Sequence, residues 1–211
     1  MELRELELLE RGRKAAERRM KAAKFPTTQC LATFDFLARP SVNKRMVLEL
    51  AGCSFIDQRE NVRFIGNPGT GQSHRATAIA AEACAQGYHV RFFRVTELVT
   101  MLSEAKDQRI LARLKTPLSK LDLRVLDELG YVPATKVGAE LLFDVIATAY
   151  ERSRVMLTTN LPFENWTEVL GSEQLTGAPL DRLTHRCKII ETKGESYRRP
   201  DATRRSRTRK S

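Results

Sequence analysis

The segment VRFIGNPGTGQSHRA, which runs from Val62 to Ala76, decides the fold of this chain. It begins with the apolar run Val62–Ile65, typical of a buried strand, and it ends in a helical pattern. The glycine-rich loop between them matches the phosphate-loop pattern G-x-x-x-x-G-K-[ST] at Gly66, Gly71 and Ser73. Glycines let backbone amides approach phosphate groups, and the following helix adds its N-terminal dipole. The segment therefore predicts a nucleotide-phosphate site.

Position 72 departs from this pattern, because Gln72 stands where phosphate loops carry lysine. Lysine brings a full positive charge to the β- and γ-phosphates, whereas glutamine offers only a neutral hydrogen bond from a shorter side chain. A charge-assisted hydrogen bond is worth about 1.5–3 kcal/mol, so we expect nucleotide affinity to fall about ten- to more than a hundredfold. Hydrolysis should suffer more, since charge builds on the phosphates in the transition state. The candidate nucleotide-binding residues are Gly66, Asn67, Pro68, Gly69, Thr70, Gly71, Gln72 and Ser73.

Polar residues follow two further strand patterns. The run Leu123–Leu126 ends in Asp127 and Glu128. At the end of a parallel strand beside the loop, Asp127 and the Ser73 hydroxyl would hold Mg²⁺, and Glu128 would orient or deprotonate the attacking water. Asn160 ends the next strand and could touch the γ-phosphate or that water. Taken alone, however, it is better explained as part of a turn.

Short apolar runs alternate with amphipathic helices along most of the chain. This alternation predicts an α/β fold with a parallel five-stranded sheet and helices on both faces, preceded by a charged N-terminal helix. Strands are predicted at residues 62–65, 88–94, 123–126, 155–159 and 188–191, and helices at 1–24, 42–51, 74–86, 97–116 and 136–153.

Composition limits the possible functions. The chain has 211 residues, of which 42% are hydrophobic, enough for one domain with a real core. No apolar run approaches a membrane span and the N-terminus lacks a signal-peptide core, so we expect a cytosolic protein without membrane contact. The four cysteines and three histidines lie at no metal-ligand spacing. We therefore expect reduced thiols and no zinc site.

The charge of the chain is strongly positive. Lys and Arg total 36 against 26 Asp and Glu, which gives a net charge of +10. The tail Arg198–Ser211 holds seven basic residues and one acidic residue, so it carries +6 of this charge. A charge this concentrated favours a polyanionic partner, and DNA is the expected one.

Seven segments in order resemble the IstB-type ATP-binding proteins, which are ATPase helpers of transposases related to the DnaC-type helicase loaders. The resemblance covers about residue 13 to residue 198 and includes the loop Gly66–Ser73. The other segments are KAAKFPTTQCLATFDF, LDELGYVP, GAELLFDVIATAYERS, LTTNLPFENW, LDRLTHR and KGESYR.

The resemblance implies an AAA+ P-loop core that uses ATP and Mg²⁺, assembles as a homo-oligomer on DNA and acts with a transposase. It suggests Asn160 as sensor 1, Arg182 as an arginine finger that completes a neighbouring subunit's site, and Arg198 as the sensor 2 arginine. Without it, each arginine would be read as a surface ion-pair residue. The expected organisation is an N-terminal helical segment 1–60, an ATP-binding core 61–198 and a basic tail 199–211.

Several positions depart from the family pattern. Asn67 replaces a usual proline, and arginines occupy apolar positions at Arg63, Arg75 and Arg124. Arg63 and Arg124 are expected near the sheet core. Arg75 lies on the helix face of Gln72 and could in principle direct charge to a phosphate, but relatives use that position for packing, so we do not expect this.

Three hypotheses follow. The first is a nucleotide-dependent helper of transposition, or a degenerate copy of one. The second is a DnaC-like helicase loader, which the beginning of this chain inside the usual family length disfavours, since such loaders need a helicase-binding N-terminal extension. The third is a DNA-binding protein that no longer hydrolyses ATP, which Gln72 supports.

Overall fold

A computed structural model describes residues 2–27, 29–31, 34, 36, 42–130, 135–162, 165–166 and 186–192. Its strands are β1 Asn61–Gly66, β2 Val90–Arg94, β3 Leu123–Leu129, β4 Arg154–Thr159 and β5 Cys187–Thr192. Its helices are α1 Glu2–Ala23, α2 Lys44–Ala51, α3 Ser54–Asp57, α4 Gln72–Ala85, α5 Val95–Asp107, α6 Leu111–Leu118 and α7 Lys136–Arg152.

The described strands form one parallel sheet in the order β2-β3-β4-β1-β5. Because every pairing is parallel, the carboxyl ends of these strands meet at one edge of the sheet. In an open parallel sheet, ligands bind at this edge. The predicted five-stranded α/β architecture with an N-terminal helix is confirmed.

Helices cover both faces of the sheet. One face packs against α2, α4 and the end of α1, and its core includes Val47, Ile79 and Met156. The other face packs against α5 and α7, with Leu98 and Leu142 in its core. The near-continuous apolar character of the central strands follows from burial on both sides.

Some predicted boundaries were wrong. The expected helix 97–116 is two helices, α5 and α6, because Arg109 adopts a left-handed backbone with φ 58° and ends the helical path. The strand expected from residue 88 begins at Val90, since the Tyr88 amide instead donates to the Ala83 carbonyl at the end of α4. The short helix α3 was not anticipated.

The arginines predicted near the sheet core are buried there. Arg124 is 1% exposed, and its guanidinium donates to Ser153 Oγ and, at 2.6 Å, to the Leu118 carbonyl oxygen. Burial lowers the pKa of Arg124 to about 10. The Arg63 guanidinium lies 5.6 Å from the centre of the Trp166 ring. Both cations are thus held by neighbouring groups, which offsets part of the cost of burial.

No helix in the described part of the chain is long and apolar enough to cross a membrane. Across the same residues, no group of histidine, cysteine, aspartate or glutamate side chains is arranged to hold a metal ion.

Candidate functional site

A cavity of about 720 Å³ opens at the carboxyl edge of the sheet, where the loop from β1 to α4 lies. Its lining includes all eight predicted loop residues, from Gly66 to Ser73, together with Asp127, Glu128 and Asn160. The topology therefore brings together three groups of residues that are far apart in sequence.

Two glycines of the loop occupy positions that exclude other residues. A β-carbon on Gly66 would lie 2.4 Å from the Thr192 carbonyl oxygen, well inside the contact limit. Gly71 has φ 82°, and a β-carbon there would lie 2.9 Å from Phe34 Cε2. The Thr70 hydroxyl donates to the Asn67 carbonyl oxygen at 2.8 Å and closes the turn. The backbone thus delivers the N-terminus of α4 to the cavity, as anion binding requires.

Gln72 turns back over the loop. Its Nε2 would lie 2.9 Å from a β-carbon on Gly66, and among the described residues this buried nitrogen has no hydrogen-bond partner. An unpartnered buried donor is costly unless a ligand satisfies it. The side chain at position 72 is therefore available to an acceptor inside the cavity, although it brings no charge.

The acidic pair lies at a bulge in β3. Asp127 is 3% exposed, and its Oδ1 accepts a 2.6 Å hydrogen bond from the Thr158 hydroxyl. The Glu128 amide donates to the same hydroxyl oxygen at 2.9 Å. The register between β3 and β4 shifts here, and Glu128 adopts a left-handed φ of 61°. This conformation leaves the Glu128 side chain exposed on the cavity while Asp127 stays buried beside it.

Asn160 follows β4, the strand between β1 and β3. Its Oδ1 lies 3.0 Å from where Gly130 would carry a β-carbon. Asn160 therefore lines the cavity at the end of the strand that lies between β1 and β3.

The sequence analysis missed several lining residues. The segment after α1 contributes four residues to the lining of the cavity, namely Pro26, Thr27, Gln29 and Phe34. The Phe34 ring packs edge-on against the His74 ring, with 5.4 Å between the ring centres. Arg94, at the end of β2, lines the cavity as well. The position of Arg94 at a strand end was a usable signal, because parallel strand ends share one edge. The segment after α1 is part of the family-like stretch KAAKFPTTQCLATFDF, but the sequence analysis assigned it no place in the site.

Arg75 does not line this cavity. It is fully buried on α4, donates to Thr192 Oγ1 at 2.6 Å, and lies 5.5 Å from the ring centres of both Phe34 and Phe64. Packing, not phosphate contact, is its observed environment. The predicted arginine finger Arg182, the predicted sensor Arg198 and the basic tail lie outside the described residues.

The strand order, the phosphate loop and the acidic strand end together define an AAA+ P-loop nucleotide-binding core. The chain belongs to the family of IstB-like ATP binding proteins, whose pattern matches residues 2–205. The family resemblance recognised from the sequence is thereby confirmed.

Two relatives illustrate the match. The chain is 39% identical over 194 residues to the insertion sequence IS5376 putative ATP-binding protein of Geobacillus stearothermophilus, covering 92% of this chain and 77% of the relative. It is 37% identical over 188 residues to the insertion sequence IS21 putative ATP-binding protein of Pseudomonas aeruginosa, and the match covers 89% of this chain and 71% of the relative.

Solved structures show the same fold at low identity. DnaI aligns with a TM-score of 0.65 and 17% identity, covering 78% of this chain and 91% of DnaI. AMPPCP-bound DnaA from Aquifex aeolicus aligns with a TM-score of 0.64 and 16% identity, covering 82% of this chain and 52% of DnaA. At these identities the likeness concerns the fold alone.

Proposed function

We propose that this chain binds ATP with Mg²⁺ in the cavity and acts in the cytoplasm as a helper of DNA transposition, together with a transposase on DNA. The observation that carries the proposal is the meeting of the Gly66–Ser73 loop with Asp127 and Glu128 on one cavity. Family membership and the insertion-sequence relatives support it.

The residues present fit a nucleotide with its metal. Gly66 and Gly71 occupy loop positions where a β-carbon would clash with neighbouring protein atoms, and the buried Gln72 amide nitrogen has no hydrogen-bond partner among the described residues. A hydroxyl at Ser73 and a carboxylate at Asp127 are oxygen ligands of the kind Mg²⁺ prefers. When bound, Mg²⁺ would neutralise charge on the phosphates.

The remaining roles follow from position. The loop amides would bind the phosphates, Thr158 fixes the Asp127 carboxylate, and Glu128 faces the cavity where it would orient an attacking water. Asn160 would contact the γ-phosphate or that water. Because Gln72 supplies no charge, binding should be weak and hydrolysis slow or absent.

Assembly and DNA contact are further parts of the proposal. Arg182 would complete the site of a neighbouring subunit in a homo-oligomer, and Arg198 would act as sensor 2. Residues 1–60 would form an N-terminal helical segment, 61–198 the ATP-binding core and 199–211 a basic DNA-contacting tail. The net charge of +10 supports a DNA partner.

The decisive experiment measures ATP affinity and turnover, with and without Mg²⁺ and duplex DNA. The unmodified chain is compared with Ser73→Ala, and with Thr100→Ala on the exposed side of α5 as a matched control. Ser73→Ala should weaken Mg²⁺-dependent ATP binding, while Thr100→Ala should not. If neither the unmodified chain nor Gln72→Lys binds ATP, the proposal is wrong.

A second candidate is a DNA-binding protein that has lost hydrolysis, and Gln72 specifically favours it. In that case ATP turnover stays at background with DNA present, although DNA binding persists. The helicase-loader alternative follows from the relation of this family to DnaC-type loaders, and the likeness to DnaI concerns the fold alone. Co-purification with a transposase rather than a replicative helicase separates it from the first proposal.

A further inference from the structure

The charge around the cavity is unbalanced for a triphosphate ligand. Asp127 and Glu128 contribute two carboxylates, and Gln72 contributes none of the positive charge that a lysine would bring. Among the described lining residues, Arg94 is the one lysine or arginine, and His74 is the one other basic side chain. Mg²⁺ at Asp127 would offset part of the repulsion between a triphosphate and the two acidic groups, but it would not replace the positive charge of the missing lysine.

Arg94 lies on the side of the cavity away from the phosphate loop. It pairs with Asp127 across the β2–β3 register, so both residues end their strands at the cavity. Neighbouring strands are about 4.8 Å apart, which sets Arg94 one strand spacing beyond Asp127. Phosphates bound at the N-terminus of α4 would lie nearer to β1, on the other side of Asp127. The outermost phosphate of a triphosphate would then be the one closest to Arg94.

The Arg94 side chain is also uncommitted. It is exposed, and within the described residues its guanidinium makes no hydrogen bond or ion pair. Arg124 and Arg75, by contrast, are buried and donate hydrogen bonds to protein oxygens. On β2 itself, Arg91 donates to the Ala22 carbonyl oxygen. Arg94 thus combines a position on the cavity with freedom to bind a ligand.

We propose that Arg94 is a phosphate-binding residue that supplies, from the end of β2, positive charge to the terminal phosphate of ATP in place of the lysine missing at position 72. This inference rests on the proposed function. It adds a specificity, because a guanidinium that reaches only the outermost phosphate distinguishes ATP from ADP.

The test is the affinity of Mg²⁺-ATP and Mg²⁺-ADP for Arg94→Ala, measured by calorimetry. Arg113→Ala, an exposed arginine on α6 away from the cavity, makes the same change in net charge and serves as the control. Arg94→Ala should lower ATP affinity about tenfold or more and ADP affinity much less. Arg94→Lys should retain most of the affinity, and Arg113→Ala should alter neither. Equal losses for ATP and ADP, or no loss, would overturn the inference.

The substitution for lysine is tested by a double-mutant cycle with Gln72→Lys. If the lysine supplies the missing charge, Arg94→Ala should lower the affinity for Mg²⁺-ATP by a smaller factor in the Gln72→Lys protein than in the unmodified chain. An equal loss of ATP affinity in both proteins would refute the claim that Arg94 replaces the charge of the lysine. If ATP binds normally to Arg94→Ala, this inference alone fails. If ATP binds to neither the unmodified chain nor Gln72→Lys, the proposed function fails with it.

Discussion

Replacing Gln72 by lysine should tighten ATP binding and raise turnover. The Gln72 amide nitrogen is buried over Gly66 and unpartnered within the described residues, so the side chain at this position already lies on the cavity. Lysine is one bond longer and carries a charge. A charge-assisted hydrogen bond contributes about 1.5–3 kcal/mol, which corresponds to about ten- to 150-fold tighter binding. Because the donor is shielded from bulk water, we expect the upper part of this range.

The effect of charge is separated from the effect of shape by Gln72→Met. Methionine has a similar length but neither a charge nor an amide, so it should bind ATP about two- to tenfold more weakly than the unmodified chain. Calorimetry gives the affinities, and phosphate release with and without duplex DNA gives the turnover. Turnover should rise by a larger factor than affinity in Gln72→Lys, since charge develops on the phosphates in the transition state.

Two results would refute this reasoning. One is equal ATP affinity for the lysine, glutamine and methionine forms. The other is robust hydrolysis by the unmodified chain that Glu128→Gln abolishes, because a competent site without the lysine would show that its charge is dispensable.

Three further predictions concern DNA, assembly and the thiols. Removal of residues 199–211 should weaken duplex DNA binding and flatten the slope of log affinity against log salt, and an unchanged slope would place the DNA contact elsewhere. In the Gln72→Lys background, Arg182→Ala should leave the monomer folded but reduce ATP-dependent oligomers on DNA in sedimentation, whereas equal assembly would make Arg182 a structural residue. Exposed Cys30 should react first with a thiol reagent at about pH 8, because burial raises the pKa of the other three thiols, Cys53, Cys84 and Cys187, to about 11. The unfolded chain ionises its thiols at a pKa of about 8.5, whereas the folded chain keeps these three thiols neutral up to about pH 11. The free energy of unfolding should therefore fall as the pH rises from about 8.5 toward about 11. This fall should be smaller when Cys53, Cys84 and Cys187 are replaced by alanine.

The sheet and the main site could be predicted because their signals are local. Apolar runs identified the five strands, and the spacing of Gly66, Gly71 and Ser73 identified the loop. The interruption of the helix at Arg109, between α5 and α6, could not be predicted, since an arginine in a left-handed conformation has no sequence signature. The strand end at Arg94 was visible in the sequence, but its placement next to Asp127 depends on strand order, which is a long-range property.

The bulge at Asp127 and Glu128 is a conformational feature that the residue types do not indicate. Asp127 and Glu128 are adjacent in sequence, yet a β-bulge buries one and exposes the other. Their place at the end of an apolar strand predicted different roles for the two carboxylates, and the Thr158 hydroxyl contacts both residues at the bulge that separates them. Hydrogen bonds between residues some thirty positions apart lie beyond what pattern analysis can find.

The left-handed backbone at Glu128 bears on the evolutionary history of the chain. A residue with a β-carbon at φ 61° costs about 1–3 kcal/mol, and glycine would relieve much of that cost. Selection for stability alone would therefore favour glycine over glutamate at this position. The strained backbone instead holds the Glu128 carboxylate exposed on the cavity, next to the buried Asp127. Glutamine and lysine codons differ by a single base, so one point mutation would place a lysine at position 72.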